Sequence, residues 1–298
     1  MEFVLSDKIV KGITKNKDVR FFACQATQTV SKAAELHDLS TTNTVLMGRM
    51  IAAAAMLASD LKNTKDNLSL KIDADGPSGK VIVTATKEGD VKAYMRNPRN
   101  EFPLKNKQFD LPAALGDGYL TIIKDIGMKN PYVGQVELRY KTIAQDLTYY
   151  FAQSEQLPSS VGLGVLIFPG GKVRQAGGFI VQLMPDASED TISKLEDNLR
   201  KFPNYTDVMD MGYSSQQIIE KFILKDLQPL VKDTRDFRYR CNCSKHKFAN
   251  GLKLLEKSEL EEMLAEKKPV KVDCHFCNTT YEFTPVELEK ILADKNNS

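Results

Sequence analysis

Residues 68–86 read LSLKIDADGPSGKVIVTAT. Leu68, Leu70 and Ile72 alternate onto one face, DGPSG at 75–79 supplies turn residues, and KVIVTAT at 80–86 runs back, so the stretch predicts an antiparallel hairpin. The same alternation recurs in YLTIIKDI (119–126), GQVELRY (134–140), VGLGVLIF (161–168) and AGGFIVQLM (176–184), with PGGK at 169–172 as another turn. Before the hairpin, VLMGRMIAAAAMLASDL (45–61) is the most apolar run of the chain. Arg49 interrupts it and Asp60 closes it, which makes it a poor membrane span and predicts a buried helix carrying Met47, Met50 and Met56, capped by Thr42 or Asn43. Many strands with a few long helices define an α+β class, with a largely antiparallel sheet and packed helices over residues 1–186.

The bulk numbers fit a multi-part soluble chain. Its 298 residues are enough for two or three units, and a net charge of +2 gives no overall attraction to nucleic acid or an anionic membrane. The N-terminal MEFVLSDKIVKG carries Glu2 and Asp7 and lacks the basic start and apolar run of a secretory signal, so a cytoplasmic location is expected. SGK at 78–80 and GLG at 162–164 lack the further glycines of phosphate-binding loops, and His37, His246 and His275 suggest no catalytic triad.

After Pro185 the pattern becomes helical. Ile192, Leu195 and Leu199 share a helical face, Pro203 interrupts, and Ser214 with Gln217 forms a capping box before Ile218, Ile219, Phe222, Ile223 and Leu227. These amphipathic helices define a linker over 187–235. They need an apolar surface to lie on, because short isolated helices are marginal in water.

Residues 236–298 carry most of the chemistry. The chain has five cysteines, four of them in RCNCS (240–244) and CHFC (274–277). Cys24, isolated in VRFFACQAT, reads as a small core residue. Two close pairs of thiols suit a tetrahedral zinc site, a redox site, or both, and a unit this small needs a metal to fold. Arg235, Arg238, Arg240, Lys245 and Lys247 surround the Cys-x-Cys half with positive charge, while His246 and His275 are superfluous as ligands once four thiols are counted. Ser258 with Glu261 reads as a capping box before Leu260, Met263 and Leu264. Thr284, Pro285 and Glu287 open a last helix with Leu288, Ile291 and Leu292. Eleven basic and eleven acidic residues in 236–298 argue against a nucleic-acid-binding zinc ribbon. A thiol-disulfide oxidoreductase, the other alternative, needs one exposed Cys-x-x-Cys on a stable scaffold.

YMRNP (94–98), SEQLPSSVGLGV (154–165), AGGFIVQLMP (176–185), RCNCS and CHFC together resemble sequence blocks of the heat shock protein 33 family over nearly the whole chain. The resemblance implies a redox-regulated, ATP-independent holdase chaperone of the stress response, not an enzyme, that binds unfolded client proteins under oxidative and heat stress. It implies that Cys241, Cys243, Cys274 and Cys277 hold one zinc ion per chain in a reduced, inactive form. It further implies that oxidation pairs Cys241 with Cys243 and Cys274 with Cys277, releases zinc, loosens the linker and yields an active homodimer. Ile218, Ile219, Phe222, Ile223 and Leu227 are then the candidate client-binding residues.

Overall fold

The computed structural model describes residues 7–105 and 108–296, so the N-terminal stretch read for a targeting signal lies, up to Ser6, outside the described residues. The chain forms two compact units, Met1–Arg240 and Cys241–Ser298.

The first unit opens with β1 (Lys8–Thr14), β2 (Val19–Gln25), α1 (Thr27–His37), α2 (Thr41–Ala58), β3 (Asn67–Ala74), β4 (Val81–Thr86) and β5 (Asp90–Met95). A short ladder of β6 (Leu104–Lys105) with β7 (Gln108–Phe109) and the turn of helix α3 (Leu111–Leu115) follow. Next come β8 (Gly118–Asp125), β9 (Tyr132–Glu137), α4 (Ala144–Ser154), β10 (Ser159–Ile167) and β11 (Val173–Leu183). The unit closes with α5 (Glu189–Lys201), α6 (Tyr205–Asp210), α7 (Ser215–Ile218), a π-helical turn Ile219–Ile223, β12 (Pro229–Asp236) and β13 (Arg238–Tyr239).

The hairpin that opens the sequence reading is β3–β4, with Leu70 opposite Val83 and Ile72 opposite Val81. It sits inside a six-stranded sheet of order β13-β5-β4-β3-β8-β9, antiparallel except where β13 joins β5. A second, five-stranded sheet of order β10-β11-β2-β1-β12 is antiparallel throughout. Helix α2 packs on strands of both sheets, and its side chains join theirs in one core. That position explains its composition: Met47, Met50 and Met56 are fully buried, and the run Ala52–Ala55 lets two sheets approach one helix. Among the described residues no helix is long and apolar enough to cross a membrane.

The cap of α2 differs from the expected Thr42 or Asn43. Ser40 is the N-cap, its Oγ accepting from the Asn43 amide at 3.3 Å. The Asn43 side chain is committed elsewhere, donating to the carbonyls of Asn97 (3.0 Å) and Pro98 (2.9 Å) and accepting from Ser78 Oγ at 2.6 Å. Helix α1 has no side-chain cap of its own, and Asp7 takes that role across the chain, accepting from the amides of Gln28 and Thr29. Arg49, the charge within α2, donates from Nη1 to the Thr142 carbonyl at 3.0 Å, and its burial holds its pKa below the ordinary value.

The five-stranded sheet is apolar on both faces. Ile9, Phe22, Cys24 and Ile180 point toward α2, with Cys24 the core residue its isolation suggests. Val10, Phe21, Ala23, Phe179 and Val181 point the other way, against Leu195, Tyr205, Val208, Ile218, Ile219, Ile223 and Leu227 from the segment beyond Pro185. The Ser214–Gln217 capping box is formed, each backbone amide donating to the other's side chain. Regular helix nevertheless stops at Ile218, and the π-helical turn continues it. Asn198 of α5 donates to the carbonyls of Ile223 (3.3 Å) and Lys225 (2.9 Å), satisfying groups that the wider turn leaves over.

The helical expectation for 187–235 fails at its end. Residues 229–236, PLVKDTRD, form β12, paired with β1 from Thr14↔Pro229 to Lys8↔Asp236. This is an edge strand whose Lys232, Asp233 and Arg235 keep it polar, so its alternation carries little hydrophobic signal.

The second unit contains α8 (Lys245–Leu252), α9 (Lys257–Ala265), the hairpin β14 (Val270–Asp273) and β15 (Thr280–Phe283), and α10 (Pro285–Asn296). Thr284 and Glu287 cap α10 as expected. Helix α9 starts earlier than the Ser258–Glu261 reading: its capping box is Glu256 with Glu259, the Glu256 amide donating to Glu259 Oε2 at 2.8 Å. An equally spaced acidic pair two residues earlier captured the role.

Gly48 marks a close approach onto α2. A Cβ there would lie 2.7 Å from Val165 Cγ2 and 2.8 Å from Val30 Cγ1. Alanine improves helix propensity by about 0.8–1.0 kcal/mol, whereas overpacking against two stiff valines costs about 1–3 kcal/mol. Gly48→Ala is therefore expected to lower the urea midpoint of the first unit, as followed by circular dichroism.

Candidate metal centre

Sequence proximity puts each pair of cysteines in one turn, and the fold of the second unit brings the two turns together. Cys274 and Cys277 occupy the connection between β14 and β15. The Cys274 amide donates to the Thr279 carbonyl at 2.9 Å, and the Cys274 carbonyl accepts from the amides of Cys277 (3.1 Å) and Asn278 (2.7 Å). Asn278 turns the chain with a φ of 52°, a left-handed conformation that asparagine adopts more readily than most residues. Cys243 directly precedes Ser244, whose Oγ accepts from the Lys247 amide at 3.3 Å to start α8. Lys247 also reaches back to the Asn242 carbonyl at 2.7 Å, tying down the single residue between Cys241 and Cys243.

All four sulfurs lie within 4.8 Å of one another. The separations across the two pairs are 3.7 Å for Cys241–Cys274 and 3.3 Å for Cys243–Cys277. A tetrahedral ion with metal–sulfur bonds of about 2.3 Å spaces its ligands about 3.8 Å apart. The four cysteines are thus positioned to hold a metal ion, and the all-sulfur set suits a soft or borderline cation such as zinc. The group of four does not include His246 or His275. All five cysteines are free thiols.

The surroundings tune these thiols unequally. Burial pushes Cys241 up to about 12 and raises Cys274 as well. At Cys277 burial acts in the same direction, but hydrogen bonds from the Thr279 hydroxyl and amide, with help from Cys243 and Cys274, outweigh it and bring the thiol down to about 7. The Thr279 hydroxyl lies 3.2 Å from Cys277 Sγ, and the Tyr281 hydroxyl lies 3.1 Å from Cys243 Sγ. These two hydroxyls were not singled out by sequence reasoning. The available signal was the stretch NTTYEF after Cys277, a strand whose alternation sends Tyr281 and Phe283 inward.

The basic residues flanking Cys-x-Cys each have other partners. Arg235 pairs with Asp233, Arg238 and Arg240 pair with Asp90 at 3.1 and 3.5 Å, and Lys245 pairs with Glu287 at 2.5 Å. The Lys245 hydrogen bond, with those from Thr284, holds the Glu287 carboxyl down at about 2.

What surrounds this centre is thin. Among the described residues, the second unit's core has five buried apolar side chains, Leu252, Leu260, Phe283, Leu288 and Ile291, with partly buried ones such as Phe248 and Tyr281 packed against them. A unit of about 60 residues with a core of this size is marginal on its own, and a cross-link or a metal would add to its stability.

A two-sheet α+β unit with its own C-terminal helices, followed by a small unit whose four thiols could hold a metal ion, defines a two-unit class of α+β protein. The family model described as Hsp33 protein matches residues 7–284. The chain is 41% identical over 288 residues to a 33 kDa chaperonin of Agathobacter rectalis, covering 96% of this chain and 100% of that protein. It is also 41% identical over 293 residues to one of Lachnoclostridium phytofermentans, covering 98% and 100%. The crystal structure of the 33 kDa chaperonin (heat shock protein 33 homolog) of Thermotoga maritima superposes with a TM-score of 0.89 at 34% identity, covering 98% of this chain and 100% of that one. The chain belongs to the Hsp33 family of chaperones.

Cys274 is the most buried of the four cysteines, 4% exposed. Cys274→Ser replaces a thiolate by a hydroxyl that stays protonated, and it is expected to abolish tight metal binding. Metal content after gel filtration in the presence of a chelator checks this, with stoichiometric retention as the contrary result.

Proposed function

We propose that this chain is a redox-regulated, ATP-independent holdase that captures unfolded proteins during oxidative and heat stress. In the reduced, inactive form Cys241, Cys243, Cys274 and Cys277 hold one zinc ion. The convergence of four thiols on one point, inside a unit whose own core is too small, carries the reading. Bound zinc would tie the two cysteine turns together, a contribution of about 10–16 kcal/mol in small zinc domains.

Peroxide oxidation removes ligands. Two thiols give up two electrons and two protons to the peroxide, leaving one disulfide and two molecules of water, and a second pair does the same. Without four thiolates the second unit loses the tie that holds it folded. Residues 187–235 are the segment that responds, and Ile218, Ile219, Phe222, Ile223 and Leu227 become available to clients. The active form is a homodimer, acts in the cytoplasm and is a binding protein, not a catalyst.

The disulfide pattern reports the order of events. In the folded centre the short separations of 3.3 and 3.7 Å both run across the two pairs. After opening, the tiny loops closed by Cys241–Cys243 and Cys274–Cys277 win on closure entropy. Peptide mapping after peroxide treatment at elevated temperature is expected to give these two local disulfides, and predominant Cys243–Cys277 linkage would count against opening before pairing.

The same treatment is expected to make 187–298 sensitive to protease, raise hydrophobic-dye binding and let the protein suppress client aggregation without ATP, while residues 7–183 resist digestion. Equal suppression by oxidised protein that keeps 187–298 protected would refute the switch.

A further inference from the structure

A thiolate centre with a divalent cation carries net negative charge, and hydrogen bonds to its sulfurs disperse that charge and fix the ligand geometry. At Cys277 the Thr279 hydroxyl, 3.2 Å from the sulfur, and the Thr279 amide do this work. At Cys243, the second thiol of the shorter Cys-x-Cys turn, a side-chain hydroxyl takes up this work, that of Tyr281 at 3.1 Å.

The tyrosine is well placed for it. Tyr281 stands on β15 opposite Val272 of β14, so the hairpin that presents Cys274 and Cys277 also presents the Tyr281 ring. That ring packs on Phe248 of α8, with centroids 5.1 Å apart and planes inclined by 36°. Phe248 lies on the helix that starts directly after Cys243 and Ser244. One side chain thereby links the Cys-x-x-Cys hairpin to the Cys-x-Cys turn through both a ring contact and a hydrogen bond. The tie survives only while both turns hold their folded positions.

We propose that Tyr281 is a positioning residue of the metal centre: its hydroxyl donates to the Cys243 thiolate and sets how tightly the Cys-x-Cys half retains the metal. This rests on the reading of the four cysteines as zinc ligands and adds a determinant outside the ligand set. Replacing partners that hydrogen-bond to metal ligands typically costs 10–100-fold in affinity.

The test uses the full chain and Tyr281→Phe, which keeps the ring against Phe248 and removes the hydroxyl alone. Zinc affinity is measured by competition with a chromogenic chelator under reducing conditions. Cobalt(II) is then substituted as a spectroscopic probe of the sulfur environment. The variant is expected to bind zinc at least tenfold more weakly and to move the sulfur-to-cobalt charge-transfer band to lower energy, because an unbonded thiolate is easier to oxidise. Unchanged affinity and an unchanged band overturn the proposal. Weaker binding with an unchanged band also overturns it, since that result assigns Tyr281 to packing. Failure of the parent protein to bind one zinc per chain is a separate outcome and overturns the zinc reading itself.

Discussion

A sheet with apolar side chains on both faces must be covered twice. In the five-stranded sheet Phe22 and Phe21 are neighbours in sequence and point to opposite sides, yet both are almost fully buried. Helix α2 shields one side at the price of an almost entirely apolar sequence. The other side falls to the segment beyond Pro185, which supplies Ile218, Ile219 and Ile223 with no exposed surface. The helices are too short to persist alone, and the sheet face they cover would otherwise be a large apolar patch. The linker thus completes an apolar cluster with the first unit's own sheet.

The thiol centre follows a different logic. Its surrounding core is small, and its two turns are built unequally. The Cys-x-x-Cys turn is closed by backbone hydrogen bonds at the end of a hairpin, while the Cys-x-Cys turn depends on Lys247, Ser244 and Tyr281 side chains from neighbouring elements. Backbone closure is local and survives loosening of the rest of the unit. Side-chain closure requires that α8 and β15 keep their places.

What the sequence made legible follows the strength of each physical signal. The β3–β4 hairpin alternates cleanly around a glycine- and proline-bearing turn, and α2 is long and apolar, so both could be read directly. Four cysteines in two tight pairs named the centre because few other arrangements use that spacing. Strand β12 was hidden because an edge strand facing solvent needs few apolar residues, and PLVKDTRD offers two at its start. The Ser40 cap was obscured by Thr41, Thr42 and Asn43, all capable caps, with long-range partners of Asn43 deciding among them. Tyr281 was unreadable as a partner of Cys243 for a similar reason: the hydrogen bond spans 38 residues.

Strand β12 also closes a loop. The segment between Leu183 and Pro229 has both its ends in the same five-stranded sheet, one in β11 and the other in β12. If the helices of this segment detach while both strands stay paired, they remain an anchored loop of about 45 residues, and the entropy gained on release is bounded by that fixed span. Return is then a first-order event whose rate does not depend on protein concentration.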